Sequence, residues 1–307
     1  MIVTKWDTAA WFPGDTLRQP GLYKFRLDGS GLTRLTFPGE SLDVVVPPGL
    51  ALTRGTPSGP RWSPKGRYVI YLESLGRDNS FVAFMDTETG RKKTLTGPFA
   101  YDLDPQWSPS GRYVLYLRSL AALWLTDTAG VKTPLPQIRG WRSFLFQGDS
   151  VALGYNSAQW AEDDEHLLVP GTRWHPPAGP ETRLQQEIFK VSLADGSPVA
   201  QVTTGNRGLG GLVSPDGALM IWRRGTAPFQ GSLFLLGMQD TSLVPLTSGP
   251  GDGNPHWAND SRTFIFLKAQ GASHDTVYHV YFGNVTVAGQ ERLLLARSVR
   301  DADLYLP

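Results

Sequence analysis

The chain has 307 residues, with 29 Lys and Arg against 28 Asp and Glu, for a formal net charge of +1. That balance offers no basic stripe for nucleic acid or an anionic membrane, and the absence of cysteine excludes a disulfide framework, a thiolate zinc site and a cysteine nucleophile. No apolar run approaches the ~18 residues of a membrane-spanning helix, while 34 Gly and 24 Pro suit a fold with many tight turns.

In chain order, Ile2 to Trp6 reads as one short strand, followed by a loop over 7–20. Then comes LYKFRLDGSGLTRLT at 22–36, an apolar strand, an Asp28-Gly29 turn and a polar strand ending in Leu-Thr. A Pro- and Gly-rich loop occupies 37–59. Trp62 to Ser74, WSPKGRYVIYLES, is a hairpin: Pro fixes φ at the second position of a type I turn, Gly is favoured at the fourth, and a β-branched and aromatic run follows. The segment 81–96, FVAFMDTETGRKKTLT, repeats the Asp/Gly turn and the Leu-Thr ending.

This pair of modules recurs. The hairpin returns at Trp107 to Ser119 (WSPSGRYVLYLRS), Val213 to Arg224 (VSPDGALMIWRR) and Trp257 to Lys268 (WANDSRTFIFLK). Second modules lie at 188–203 and 233–247, with looser copies at 123–135 and 277–296. Spacings of 45 residues from Trp62 to Trp107 and 44 from Val213 to Trp257 match the period of propeller blades. Two hairpin modules make one four-stranded blade.

Between 136 and 187 two segments compete for one place. Phe144 to Tyr155, with Gly148 at the turn, fits the hairpin module, and so does Trp160 to Val169, yet a single second module follows them. A long-loop insertion within 136–187 of one blade gives six blades; a degenerate extra blade gives seven. The expectation is an all-β, six-bladed propeller forming one domain over 1–307. Its termini share a blade, because Asp301 to Leu306 can be laid over Asp102 to Trp107 and so supply a missing inner strand.

The W-S-P-x-G turn followed by an aromatic-rich strand resembles the TolB-type propeller repeat, also seen in the propeller domains of tricorn protease and the dipeptidyl peptidases. The resemblance covers about 60–300 and implies a binding platform, with protein partners in the TolB case. There is no Gly-x-Ser-x-Gly nucleophile elbow in the sequence. The first 12 residues lack the regions of a signal peptide. A full-length chain is therefore expected in the cytoplasm, and one trimmed of a leader in the periplasm or outside the cell.

In such a blade the short turns fall on one face and the connections between modules on the other. The long loops 7–20, 37–59, 136–143 and the insertion then share a face. They carry Trp11, Phe12, Arg18, Arg54, Arg139, Trp141, Arg142, Arg173, Trp174 and His175. Planar guanidinium forks and rigid indoles together suit a protein or peptide. Repeat tryptophans are instead expected to fill gaps between blades.

The alternative function is a metal-dependent hydrolase or lyase at the mouth of the central channel. Its ligands would come from Asp102, Asp104, Asp252, His256, Asp301 and Asp303. Asp before a strand more commonly caps a turn, no metal-ligand spacing is present, and no cofactor is expected. The acidic run Glu162 to Glu165 reads as a solvated turn, and Ser273, His274 and Asp275, being sequence neighbours, do not make a triad.

Overall fold

Each S-P-x-G turn is closed by its serine. The Ser63 hydroxyl accepts the backbone N–H of Tyr68 at 3.1 Å, Ser108 that of Tyr113 at 3.1 Å and Ser214 that of Leu219 at 3.0 Å. The Leu-Thr ending, which is Val-Thr at 202–203, has an equally local cause. The buried hydroxyls of Thr36, Thr96, Thr203 and Thr247 accept N–H groups of Leu22, Val82, Ile188 and Leu233 at 2.8–2.9 Å, which ties each outer strand back to its neighbour. Such side-chain acceptors satisfy backbone donors where a ladder stops.

The computed structural model describes residues 1–5, 20–37, 55–75, 79–97, 101–120, 122–174, 184–204, 211–224, 231–238, 243–249, 251–270, 277–286, 291–295 and 299–307. The strands form six antiparallel sheets, the six blades of a propeller. From inner to outer strand, blade 1 is Thr56–Trp62, Tyr68–Ser74, Ser80–Asp86 and Lys92–Thr94. Blade 2 is Asp102–Trp107, Tyr113–Arg118, Ala122–Asp127 and Lys132–Arg139. Blade 4 is Gly211–Val213, Leu219–Arg224, Ser232–Gly237 and Leu243–Pro245; blade 5 is Asp252–Trp257, Thr263–Gln270, Val277–Asn284 and Arg292–Leu295.

Blade 6 closes the ring, with Val299–Asp303 pairing with Ile2–Lys5, followed by Gly21–Lys24 and Thr33–Arg34. The termini thus share a blade as expected, but the overlay shifts. Asp102 opens its strand, whereas Asp301 lies mid-strand opposite Thr4.

Blade 3 resolves the competing segments. Its regular strands are Gln159–Trp160, His166–Trp174, Leu184–Ser192 and Pro198–Gln201. The hairpin Trp141–Phe146 and Asp149–Gly154 is an addition: Gln159–Trp160 pairs with one end of His166–Trp174, and Asp149–Gly154 with the other. The loop expected over 136–143 is therefore corrected to strand on both sides of Gly140. Pro134 and Pro136 are loop signals by composition, but an outer edge strand tolerates a missing N–H.

Adjacent blades share apolar cores. Blades 1 and 2 meet through Ile70, Val82, Phe84, Val114 and Tyr116, blades 4 and 5 through Ile221, Leu233, Phe264 and Phe266, and blades 6 and 1 through Ile2, Leu22, Val69 and Tyr71. The added hairpin is wedged between blades 2 and 3, with Phe146, Val151, Leu153 and Tyr155 buried against Leu115, Leu125, Val169 and Phe189. Three tryptophans of the repeat bridge blades: the indole N–H of Trp107 donates to the Arg61 carbonyl at 3.2 Å, Trp160 to Gln106 at 3.4 Å and Trp257 to Leu212 at 2.9 Å.

Candidate functional site

Residues just before the repeat tryptophan come together on the inner strands. Gln106 reaches from blade 2 to the Ala158 carbonyl of blade 3 at 3.0 Å. At the closing seam, Arg61 of blade 1 and His256 of blade 5 occupy the same place in their motifs and converge on Asp301 of blade 6, at 3.6 and 3.4 Å. Asn254 donates to Asp301 at 3.0 Å, and the neighbouring Asp303 accepts the Trp62 backbone N–H at 2.7 Å. Arg61 and Asn254 were not singled out from sequence, although Arg61 stands before Trp62 as His256 stands before Trp257.

The two seam carboxylates are pushed apart. Burial drives Asp301 upward, but Arg61, His256 and the Ala302 N–H outweigh it and hold the group at about 2, against an ordinary 3.8. Burial dominates at Asp303 and raises it. Arg61, His256 and the Trp62 and Leu304 N–H groups also lower Asp303, but less than burial raises it, so the two carboxyls shift in opposite directions.

Asp102 and Asp252, the other buried channel candidates, have partners of their own. Asp102 is fully buried in a bidentate pair with Arg118, at 2.8 and 3.0 Å. Asp252 is buried 3.5 Å from Lys268 and accepts the Gly249 N–H at 2.9 Å. Asp104 stays exposed with φ of 46°, within an irregularity of its strand that recurs in blade 5 at Asn254, also at 46°. Asp and Asn tolerate this left-handed conformation better than most residues. Among the described residues no group of three or more His, Asp or Glu is placed to hold a metal ion.

Of the residues expected to bind a partner, Trp11, Arg18, Arg54 and His175, with Phe12, lie outside the described residues. The others gather at blade 3 and its border with blade 2. Arg139 is exposed opposite Ala122 at the end of blade 2. Trp141 is 68% exposed and pairs with Gly154, where a Cβ would come within 2.8 Å of the indole. Arg142 stacks over Phe144 and reaches the Asp195 carbonyl at 3.3 Å. Arg173 is held by Asp149 at 2.6 Å and by Gln201, and Trp174 ends its strand 36% exposed. Leu145, on the same face as Trp141, is 82% exposed. It was missed because an apolar residue in an apolar stretch reads as core.

The acidic run is a turn satisfied from within and from blade 2. Lys190 contacts Glu162 and Asp163, His166 lies 2.9 Å from Asp163, and Asp164 accepts the Ser110 hydroxyl and N–H of the blade 2 turn.

No protein-family model matches the chain, and no curated protein does. Among solved structures, TolB from Acinetobacter baumannii superposes with a TM-score of 0.62 at 15% identity, over 98% of this chain and 65% of that one. The fold is that of a TolB-type propeller. An oligogalacturonate lyase from Vibrio parahaemolyticus (TM-score 0.47, 12% identity, 98% of this chain and 72% of that one) is a more distant likeness. So is an acylaminoacyl peptidase from Pyrococcus horikoshii (0.47, 14%, 82% and 41%). The chain spans less than two thirds of the TolB chain's length. At these identities the likeness of a TolB-type propeller extends to architecture, and function has to be argued from the sites.

Proposed function

We propose that this TolB-type propeller is a binding scaffold for a protein or peptide, with the enlarged blade 3 and its border with blade 2 as the contact surface. The observation that carries the reading is the added strand Trp141–Phe146, which displays Trp141 at 68% and Leu145 at 82% exposure. Exposed Arg139 and Trp174 extend the surface toward the long-loop side. A large apolar side chain displayed beside a guanidinium is the composition of an interface anchor. The interlocked blades require little ordering on binding.

The inner-strand carboxylates support the same reading. Asp102, Asp252, Asp301 and Asp303 each have a partner that ties strands or blades together. The test is crosslinked partner capture from the native source, comparing the intact chain with Arg139→Ala/Trp141→Ala/Trp174→Ala. The folded variant is expected to lose a specific protein; equal recovery by both would reject this surface.

A further inference from the structure

We propose, resting on the scaffold reading, that the free edge of Trp141–Phe146 accepts an extended acidic peptide as an added β-strand. Trp141–Phe146 pairs with Asp149–Gly154 on one side, and among the described residues no strand pairs with its other side. The hairpin turns through Gln147 and Gly148, with φ of 52° and 88°, a two-residue turn of the type I′ class. Such a turn makes Phe146 and Asp149 the hydrogen-bonded closing pair, so the backbone groups of Arg142, Phe144 and Phe146 face the existing ladder. Those of Ser143 and Leu145 point outward. The side chains of Trp141, Ser143 and Leu145 are exposed and alternate with those of Arg142, Phe144 and Phe146.

Among the described residues the blades' outer strands also have open edges, but four of the six carry proline or paired lysines that block pairing, and the other two, Thr33–Arg34 and Arg292–Leu295, are only two and four residues long. Lys92–Thr94 is three residues with two lysines, Lys132–Arg139 contains Pro134 and Pro136, Pro198–Gln201 starts with proline and Leu243–Pro245 ends with it. Trp141–Phe146 is six residues without proline or lysine, and its exposed side chains include an indole and a leucine. Among the described residues it is an edge left open.

Two observations choose the occupant. Trp141 and Leu145 together offer roughly 300 Å² of apolar surface, well below the ~800 Å² per partner of a stable interface between folded proteins. That suits a short strand better than a second copy of the ring. Arg139, exposed two residues before the strand, favours a carboxylate at that end. Backbone pairing would supply affinity, and the indole resting on Gly154 a fixed apolar contact.

The experiment is amide hydrogen exchange over 141–146 with two synthetic heptapeptides, one alternating Glu and Val and one alternating Lys and Val. The acidic peptide is expected to slow exchange at Ser143 and Leu145 at least tenfold, and the basic one to leave it unchanged. Ser143→Pro removes an outward N–H and spares the ladder to Asp149–Gly154, so it should abolish protection at an unchanged melting temperature. Arg139→Glu should reverse the charge preference, and it stands as the test if the proline variant does not fold. Protection that persists in folded Ser143→Pro, that is equal for both peptides or that is absent with both would overturn the proposal. So would a dimer of the free chain that already protects these amides. If Ser143→Pro still captures the partner that the triple variant loses, strand addition fails and the scaffold reading survives.

Discussion

Replacing Asp301 by Asn tests whether the closing seam is held electrostatically. The Asp301 carboxylate takes Arg61 at 3.6 Å, His256 at 3.4 Å, Asn254 at 3.0 Å and the Ala302 N–H at 2.9 Å. Burial works against the charge, yet the group sits at about 2 in place of 3.8. Because the folded value is depressed, the stabilisation is present above pH 4 and is lost as pH falls toward 2. The shift corresponds to about 2 kcal/mol at pH 7 and about half of that at pH 3. Asp301→Asn should therefore lower the urea-derived unfolding free energy by about 2 kcal/mol at neutral pH, on the order of 4 °C in melting temperature, with a smaller loss at pH 3.

Asp303 is the control of opposite sign. Its raised value means that ionisation costs stability as pH rises through the folded value, and Asn keeps a carbonyl for the Trp62 N–H. Asp303→Asn should leave stability at pH 7 unchanged or increase it. Equal losses in both variants, or an Asp301→Asn loss identical at pH 3 and pH 7, would refute the reasoning.

Two further predictions concern single contacts. Arg118→Ala strands the fully buried Asp102 and should cost about 3–5 kcal/mol by denaturant titration, with Asp102→Asn/Arg118→Met recovering most of it. Gly66 and Gly111 hold the same turn position at φ of 70° and 75°, but a Cβ at Gly66 would meet the Tyr305 ring at 2.1 Å, whereas one at Gly111 would meet Pro64 at 3.4 Å. Gly111→Ala should cost about 1–2 kcal/mol from backbone strain and Gly66→Ala clearly more. Adding Tyr305→Ala to Gly66→Ala should bring the two melting temperatures together.

The blades were legible because their causes are local. A serine hydroxyl reaching five residues on, a threonine catching the N–H of the preceding strand, and Gly at a left-handed turn position all leave their marks within one module. Closure was legible for the same reason, since the first module lacked an inner strand and the last segment offered one. Repetition multiplied each signal.

The candidate surfaces were less legible. Arg61, His256 and Asp301 lie in three different blades and meet because the ring closes, a relation that no spacing within one repeat encodes. Pro134 and Pro136 read as loop until an outer edge position removes the cost of the missing N–H. Nor does the hairpin pattern of 144–155 say whether the segment is a blade's inner pair or an addition to one. That depended on Gln159–Trp160 taking one end of the long strand His166–Trp174 and leaving the other end for Asp149–Gly154. The sequence by itself determined the repeat, the turns and the closure of the ring, because these follow from short-range hydrogen bonding and alternation, while the choice of six blades over seven waited on the place of 141–154. The tertiary structure decided which carboxylates are paired, which arginines are already engaged and which strand edge is left open among the described residues, because each depends on contacts between modules far apart in the chain.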